Sequence, residues 1–162
     1  MSNILISMLC YIINILLFKF AGIIHTLIIV FHLKDGKVDE YLMRTAENKV
    51  RPWIPYYIFG FTIFSAYFYM STLNNITFIN TLFTSSLWSF IFVVHDFIFC
   101  MKQKELRNYS FKKVYIDEQP WTSLSYVALF VAPFIASMLV NIDIFIESTF
   151  SSCPMFNFFY II

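Results

Sequence analysis

Long blocks without a charged side chain dominate the chain. Residues 52–94 contain no Lys, Arg, Asp or Glu, and neither do residues 2–18, 20–33, 119–142 or 148–162. A helix needs ~20 mostly apolar residues to cross a hydrocarbon core of ~30 Å, and the longest blocks reach that length. Asn74-Asn75 is the credible turn that divides the longest block. The pattern predicts an all-α, polytopic membrane protein, a four-transmembrane-helix bundle with a short cytoplasmic surface helix. It forms one transmembrane domain, 1–162, with spans at about 5–31, 53–73, 77–101 and 121–142. Basic loops occupy 34–51 and 102–120. The first apolar stretch, 3–33, extends to about 45 Å as a helix, so tilt or overhang is expected. The apolar tail, 148–162, is too short for a comfortable span and is placed at the outer interface.

Wound at 100° per residue, each span carries a faint polar stripe. The first aligns Ser7, Asn14, Ala21, His25 and His32, and the second Trp53, Tyr56, Gly60, Tyr67, Ser71 and Asn74. The third aligns Asn80, Thr84, Trp88 and His95, with Ser85, Ser89 and Asp96 adjacent. The fourth aligns Tyr126, Pro133, Ser137 and Asn141. Lipid gives no reward for burying carbon, so these stripes are expected to face the bundle interior. Pro133 is expected to kink the fourth helix and free a carbonyl. In the first loop, 38–50 reads as a surface helix. Val38, Leu42, Thr45 and Ala46 lie on one side, and Glu40, Arg44, Glu47 and Arg51 on the other.

Composition sharpens this picture. The chain is 59% hydrophobic and 13% charged, against about a quarter charged in a soluble domain. Mean hydropathy is +0.71. A net charge of +1 gives no basic field for nucleic acid. The 21 phenylalanines and three glycines suit a lipid-facing, aromatic bundle and argue against one held mainly by small-residue contacts. Cys10, Cys100 and Cys153 lie far apart, so no disulfide, metal or redox site is expected from them. The start of the chain reads as no cleaved signal peptide, because a basic n-region and a small-residue cleavage site are missing.

The basic residues set an orientation. Lys34, Lys37, Arg44, Lys49 and Arg51 fall in the first loop, and Lys102, Lys104, Arg107, Lys112 and Lys113 in the second. With four spans both loops lie on one side. The positive-inside rule then places them in the cytoplasm and both termini outside, in what is expected to be the inner membrane of a bacterium. Lys112-Lys113 beside Tyr109, Phe111 and Tyr115 reads as a basic-aromatic patch near anionic head groups.

Ionisable side chains inside spans are costly and point to function. Counted from Lys34 at ~1.5 Å per residue, His25 lies about 13 Å deep and Lys19 about 22 Å. Counted from Lys102, Asp96 lies about 9 Å deep and His95 about 10 Å. These depths predict an intramembrane polar cluster of His25, His95 and Asp96, with Lys19 nearer the outer half. Arg44, Arg51, Lys112 and Lys113 form the expected cytoplasmic surface. The sequence contains no HExxH, GxSxG or glycine-rich phosphate loop. No catalytic residue, metal or other cofactor is therefore expected.

Arg44, six residues, then Arg51-Pro52 resembles the first motif of the lipid phosphate phosphatase family, with Arg44 in place of lysine. The resemblance covers nine residues. The family's Ser-Gly-His segment and its later Arg, His and Asp segment are missing, so no activity is carried over. The expected function is that of a small accessory, regulatory or protective membrane protein. It would act by lateral binding to another membrane protein or by self-association, for example as immunity against a pore-forming toxin. Two alternatives follow from the buried charges: an oligomeric proton- or ion-coupled transporter or channel, and a membrane enzyme acting on lipid.

Overall fold

The computed structural model describes residues 2–33, 38, 40–73, 75–107 and 119–151. Among them every regular element is helical. Helix α1 spans Ser2–Leu33, α2 Glu40–Val50, α3 Ile54–Ser71, α4 Phe78–Arg107 and α5 Trp121–Ser151, and a 3-10 turn, Arg51–Trp53, joins α2 to α3. Lys112, Lys113 and the tail beyond Ser151 lie outside the described residues.

Among the described residues, three stretches are long and apolar enough to cross a membrane: Asn3–Leu33, Phe78–Phe99 and Trp121–Ile146. Helix α3 is shorter, with 18 residues, or about 27 Å on a ~1.5 Å rise. It also carries four tyrosines among its apolar residues. It packs against both α1 and α5, and α5 packs in turn against α4.

The interior mixes polar and apolar side chains, while the outer faces of the long helices are largely apolar. Ser7, Asn14, Thr62, Ser65, Thr81, Thr84, Ser85, Ser125 and Ser137 are buried. Outside, Leu5, Leu9, Ile12, Leu16, Phe20 and Phe31 stand exposed along α1, and Ile79, Phe83 and Phe90 along α4. Fully buried Trp88 lies near the ring of Tyr11 from α1, with centroids 5.7 Å apart, and near that of Tyr69 from α3 at 6.5 Å. Trp88 Nε1 donates to Ser7 Oγ at 3.0 Å, and Asn14 Nδ2 to Thr62 Oγ1 at 2.9 Å.

Two expectations about packing need correction. The α3 stripe points outward: Trp53, Tyr56, Gly60 and Ser71 are exposed, while Ile58, Thr62, Ser65, Ala66, Tyr69 and Met70 face inward. Tyrosine is amphipathic and tolerates the membrane boundary, so its presence is a weak sign of an inner face. Small hydroxyl and methyl side chains mark that face instead. Small residues also line the bundle despite the low glycine count. Ala66, Ala132 and Ala136 are fully buried, which lets helix backbones approach closely.

Helix ends follow local chemistry. Thr77 Oγ1 accepts the Asn80 backbone N–H at 3.2 Å, a cap that satisfies one otherwise unpaired donor at the start of α4. Helix α5 continues through Pro133 to Ser151, past Ile142 where the expected span stopped. Pro133 has no N–H for the Leu129 carbonyl. The neighbouring Phe130 carbonyl accepts from Ser85 Oγ of α4 at 2.7 Å. Helix α2 buries Ala46 and Val50 and packs on α1. Its outer face carries the Arg44–Glu40 pair at 2.8 Å, an exposed contact worth about 0.3–0.5 kcal/mol.

Candidate functional site

The ionisable side chains of α1 and α4 meet, but in a different set from the one that depth predicted. Lys19 Nζ lies 3.2 Å from His95 Nε2. An ammonium has only N–H groups to give, so Nε2 accepts and the ring proton sits on Nδ1. That nitrogen faces Asp96 Oδ1 at 3.6 Å. The distance permits Coulomb attraction but exceeds a hydrogen bond, and His95 Nδ1 is accordingly buried without a hydrogen-bond partner. On the far side, the Tyr126 hydroxyl of α5 donates to Asp96 Oδ2 at 3.0 Å. A chain of four polar side chains, Lys19–His95–Asp96–Tyr126, thus crosses from α1 through α4 to α5, with one long link.

His25 is not part of it. Its Nδ1 is hydrogen-bonded to the Tyr57 hydroxyl at 2.6 Å, and its ring meets those of Tyr57 and Trp53 edge-on, each at 6.0 Å. The expectation measured α1 and α4 from a shared boundary. In the fold Lys19 is level with His95, so His25 lies six residues, about 9 Å, further along α1. There it meets the start of α3. Tyr57→Phe is expected to lower stability by about 0.6 kcal/mol, the usual size of a hydrogen bond between membrane helices. Denaturant titration in bicelles checks this, and a neutral result would mean that the ring contacts alone hold His25.

The chain is not sealed from its surroundings. The side chain of His95 is 36% accessible and that of Asp96 26%, and Lys19 is exposed. The flanking residues Phe20, Val93, Val94 and Phe97 are also exposed. An ionic chain therefore reaches an otherwise apolar face.

An apolar cleft of about 620 Å³ adjoins it. Helix α1 supplies Phe18, Lys19, Gly22, Ile23, Thr26 and Leu27. Helix α2 and the following turn supply Met43, Glu47, Val50 and Arg51, with Ile54 from α3 and Phe99 from α4. Arg51 thus lines a cavity, whereas Arg44 lies on the outer face of α2 with Glu40.

Two cross-helix links were missed in the sequence. The Tyr67 hydroxyl donates to Asp143 Oδ2 at 2.6 Å, joining α3 to a residue expected beyond the fourth span. Thr62 pairs with Asn14 although it lay off the expected α3 stripe. An isolated hydroxyl within an apolar run was the available signal. Among the described residues, no three His, Cys, Asp or Glu side chains are grouped to hold a metal ion. No protein-family model, curated protein or solved structure matches the chain.

Proposed function

We propose that this chain is a four-span integral membrane protein that acts by lateral binding to another membrane component. The observation that carries the reading is the ionic chain opening onto an apolar face. Hydrocarbon offers no hydrogen bonds to Lys19, His95 and Asp96, so charged groups there are costly unless another polar group meets them. A second transmembrane helix bearing a polar or acidic side chain meets that need. The apolar outer faces of the long helices support the membrane setting, because a soluble monomer rarely exposes contiguous apolar patches of more than a few hundred Å². In this reading α3 is the fourth span, shortened because its neighbours shield it. Both basic loops lie in the cytoplasm of a bacterial inner membrane, with the termini outside. Protection against a pore-forming toxin is one activity of this kind.

A photo-reactive residue at Phe20, beside Lys19 on the exposed face, is expected to capture one membrane protein or a second copy of the chain. The same residue placed at Phe83 is expected to capture none. Equal labelling at both positions, or lipid alone at both, would remove the reading. Reporter tags at Arg44 and Arg107 test the layout separately, since both must appear on the cytoplasmic side.

A second reading has its own support. The sequence Lys19–His95–Asp96–Tyr126 is interrupted at a single 3.6 Å contact, and a small shift closes it into a continuous path for proton movement. Reconstituted vesicles that gain no proton flux under an imposed potential would exclude this reading.

A further inference from the structure

We propose that the cleft between α1 and α2 is a binding site for one phospholipid whose head group carries both a phosphate and a primary ammonium. The inference rests on the membrane layout proposed above; Lys19 belongs both to the cleft lining and to the proposed protein contact.

The size of the cleft is suitable. Its volume of about 620 Å³ falls within the ~300–1,000 Å³ typical of small-ligand sites. Phe18, Ile23, Leu27, Val50, Ile54 and Phe99 give it the walls an acyl chain requires. Gly22 lies among them, and a Cβ built there meets nothing within 4 Å. The space beside α1 is therefore open.

The charges select the head group. Glu47, in the last turns of α2, and Arg51, which opens the 3-10 turn that follows, both line the cleft. One anion and one cation in the same cleft complement a zwitterion. The guanidinium accommodates a phosphate in addition to other acceptors, because it has five N–H donors. A primary ammonium gives Glu47 three donors. A trimethylated ammonium has no N–H to give, and a glycerol head group has no positive charge. Arg51 closes the surface segment and leads into α3, so the pair stands at the membrane boundary, where a head group lies. Lys19, which also lines the cleft, is already engaged by His95.

The full chain is reconstituted into vesicles with equal parts phosphatidylethanolamine, phosphatidylglycerol and phosphatidylcholine. It is then extracted in mild detergent, and the retained lipid is identified by mass spectrometry. One retained phosphatidylethanolamine per chain is expected. Gly22→Leu fills the cleft and removes the lipid. This variant keeps its fold, because leucine has the better helix propensity and nothing obstructs its Cβ. Gly60→Leu makes the same change where a Cβ also meets nothing within 4 Å but outside the cleft, and retention stays unchanged. Arg51→Gln lowers retention about fivefold, the effect of one basic group near a head group. Glu47→Gln removes the preference over phosphatidylglycerol. Equal retention of the three lipids, or retention undiminished in Gly22→Leu, overturns the proposal. Flotation of the wild-type chain with vesicles after an alkaline wash separates the two readings. Floating protein without retained lipid overturns only the cleft proposal, whereas protein that does not float overturns the membrane layout as well.

Discussion

Trp88→Ala is expected to lower the unfolding free energy by about 3 kcal/mol, measured by reversible denaturant titration in bicelles. Large aromatic-to-alanine changes in protein cores cost ~3–5 kcal/mol. Part of that range reflects transfer of the ring from water, a term that shrinks when the unfolded chain remains in lipid. The cavity term persists. Trp88 is fully buried between Tyr11 and Tyr69, and lost dispersion contacts cannot be recovered unless three helices shift together. The substitution also leaves Ser7 without its indole donor. Ser7→Ala isolates that component and is expected to cost only about 0.6 kcal/mol. A Trp88→Ala cost as small as that of Ser7→Ala would mean that the helices close the void freely. The aromatic centre would then not organise the bundle.

Asp96→Asn is the second large effect, expected at about 1.5 kcal/mol. Breaking a fully buried ion pair costs ~3–5 kcal/mol; here the Lys19 cation faces Asp96 only through a neutral His95, and His95 and Asp96 are partly exposed, so the loss falls below that range. The amide still accepts from Tyr126, so the loss reports the missing negative charge opposite His95 and Lys19. The two substitutions should not be additive: once Lys19→Met has removed the cation, Asp96→Asn costs about 1 kcal/mol less, a coupling within the ~0.5–3 kcal/mol usual for residues of one network. With His95→Ala in both arms the coupling should fall toward zero, because the bridge is gone. Strict additivity of Lys19→Met and Asp96→Asn would show that the chain is a geometric coincidence.

Much of the fold was legible because hydrocarbon-length runs are hard to misread. The surface helix expected over 38–50 and found at Glu40–Val50, and the inward positions of Ser7, Asn14, Thr84, Trp88 and Ser137, follow from pattern, whereas α4 runs on to Arg107 through Lys102 and Lys104, which were expected in the second loop. The inner face of α3 did not. Tyrosine and glycine were weighed as polar markers there, while Thr62, Ser65 and Ala66, the side chains that permit close approach, carried the signal. Among the candidate site residues, Lys19, His95 and Asp96 were identifiable as costly groups within apolar runs. Tyr126 was visible only as one polar position among several.

What the sequence by itself determined was the set of elements, since apolar length prescribes helices; it did not fix where they stop, because α4 runs past Lys102 to Arg107 and α5 past Asp143 to Ser151. What only the tertiary structure decided was how far each helix slides along its neighbour. Periodicity reports rotation about a helix axis and carries no information on translation between two axes. That axial offset pairs Lys19 rather than His25 with His95, carries His25 to Tyr57, and brings α2 against α1 so that Glu47 and Arg51 stand at the edge of a cleft. Bulky Trp88 and small Ala66 and Ala136 share one buried cluster drawn from three helices, a property of three-dimensional packing that no single helix contains.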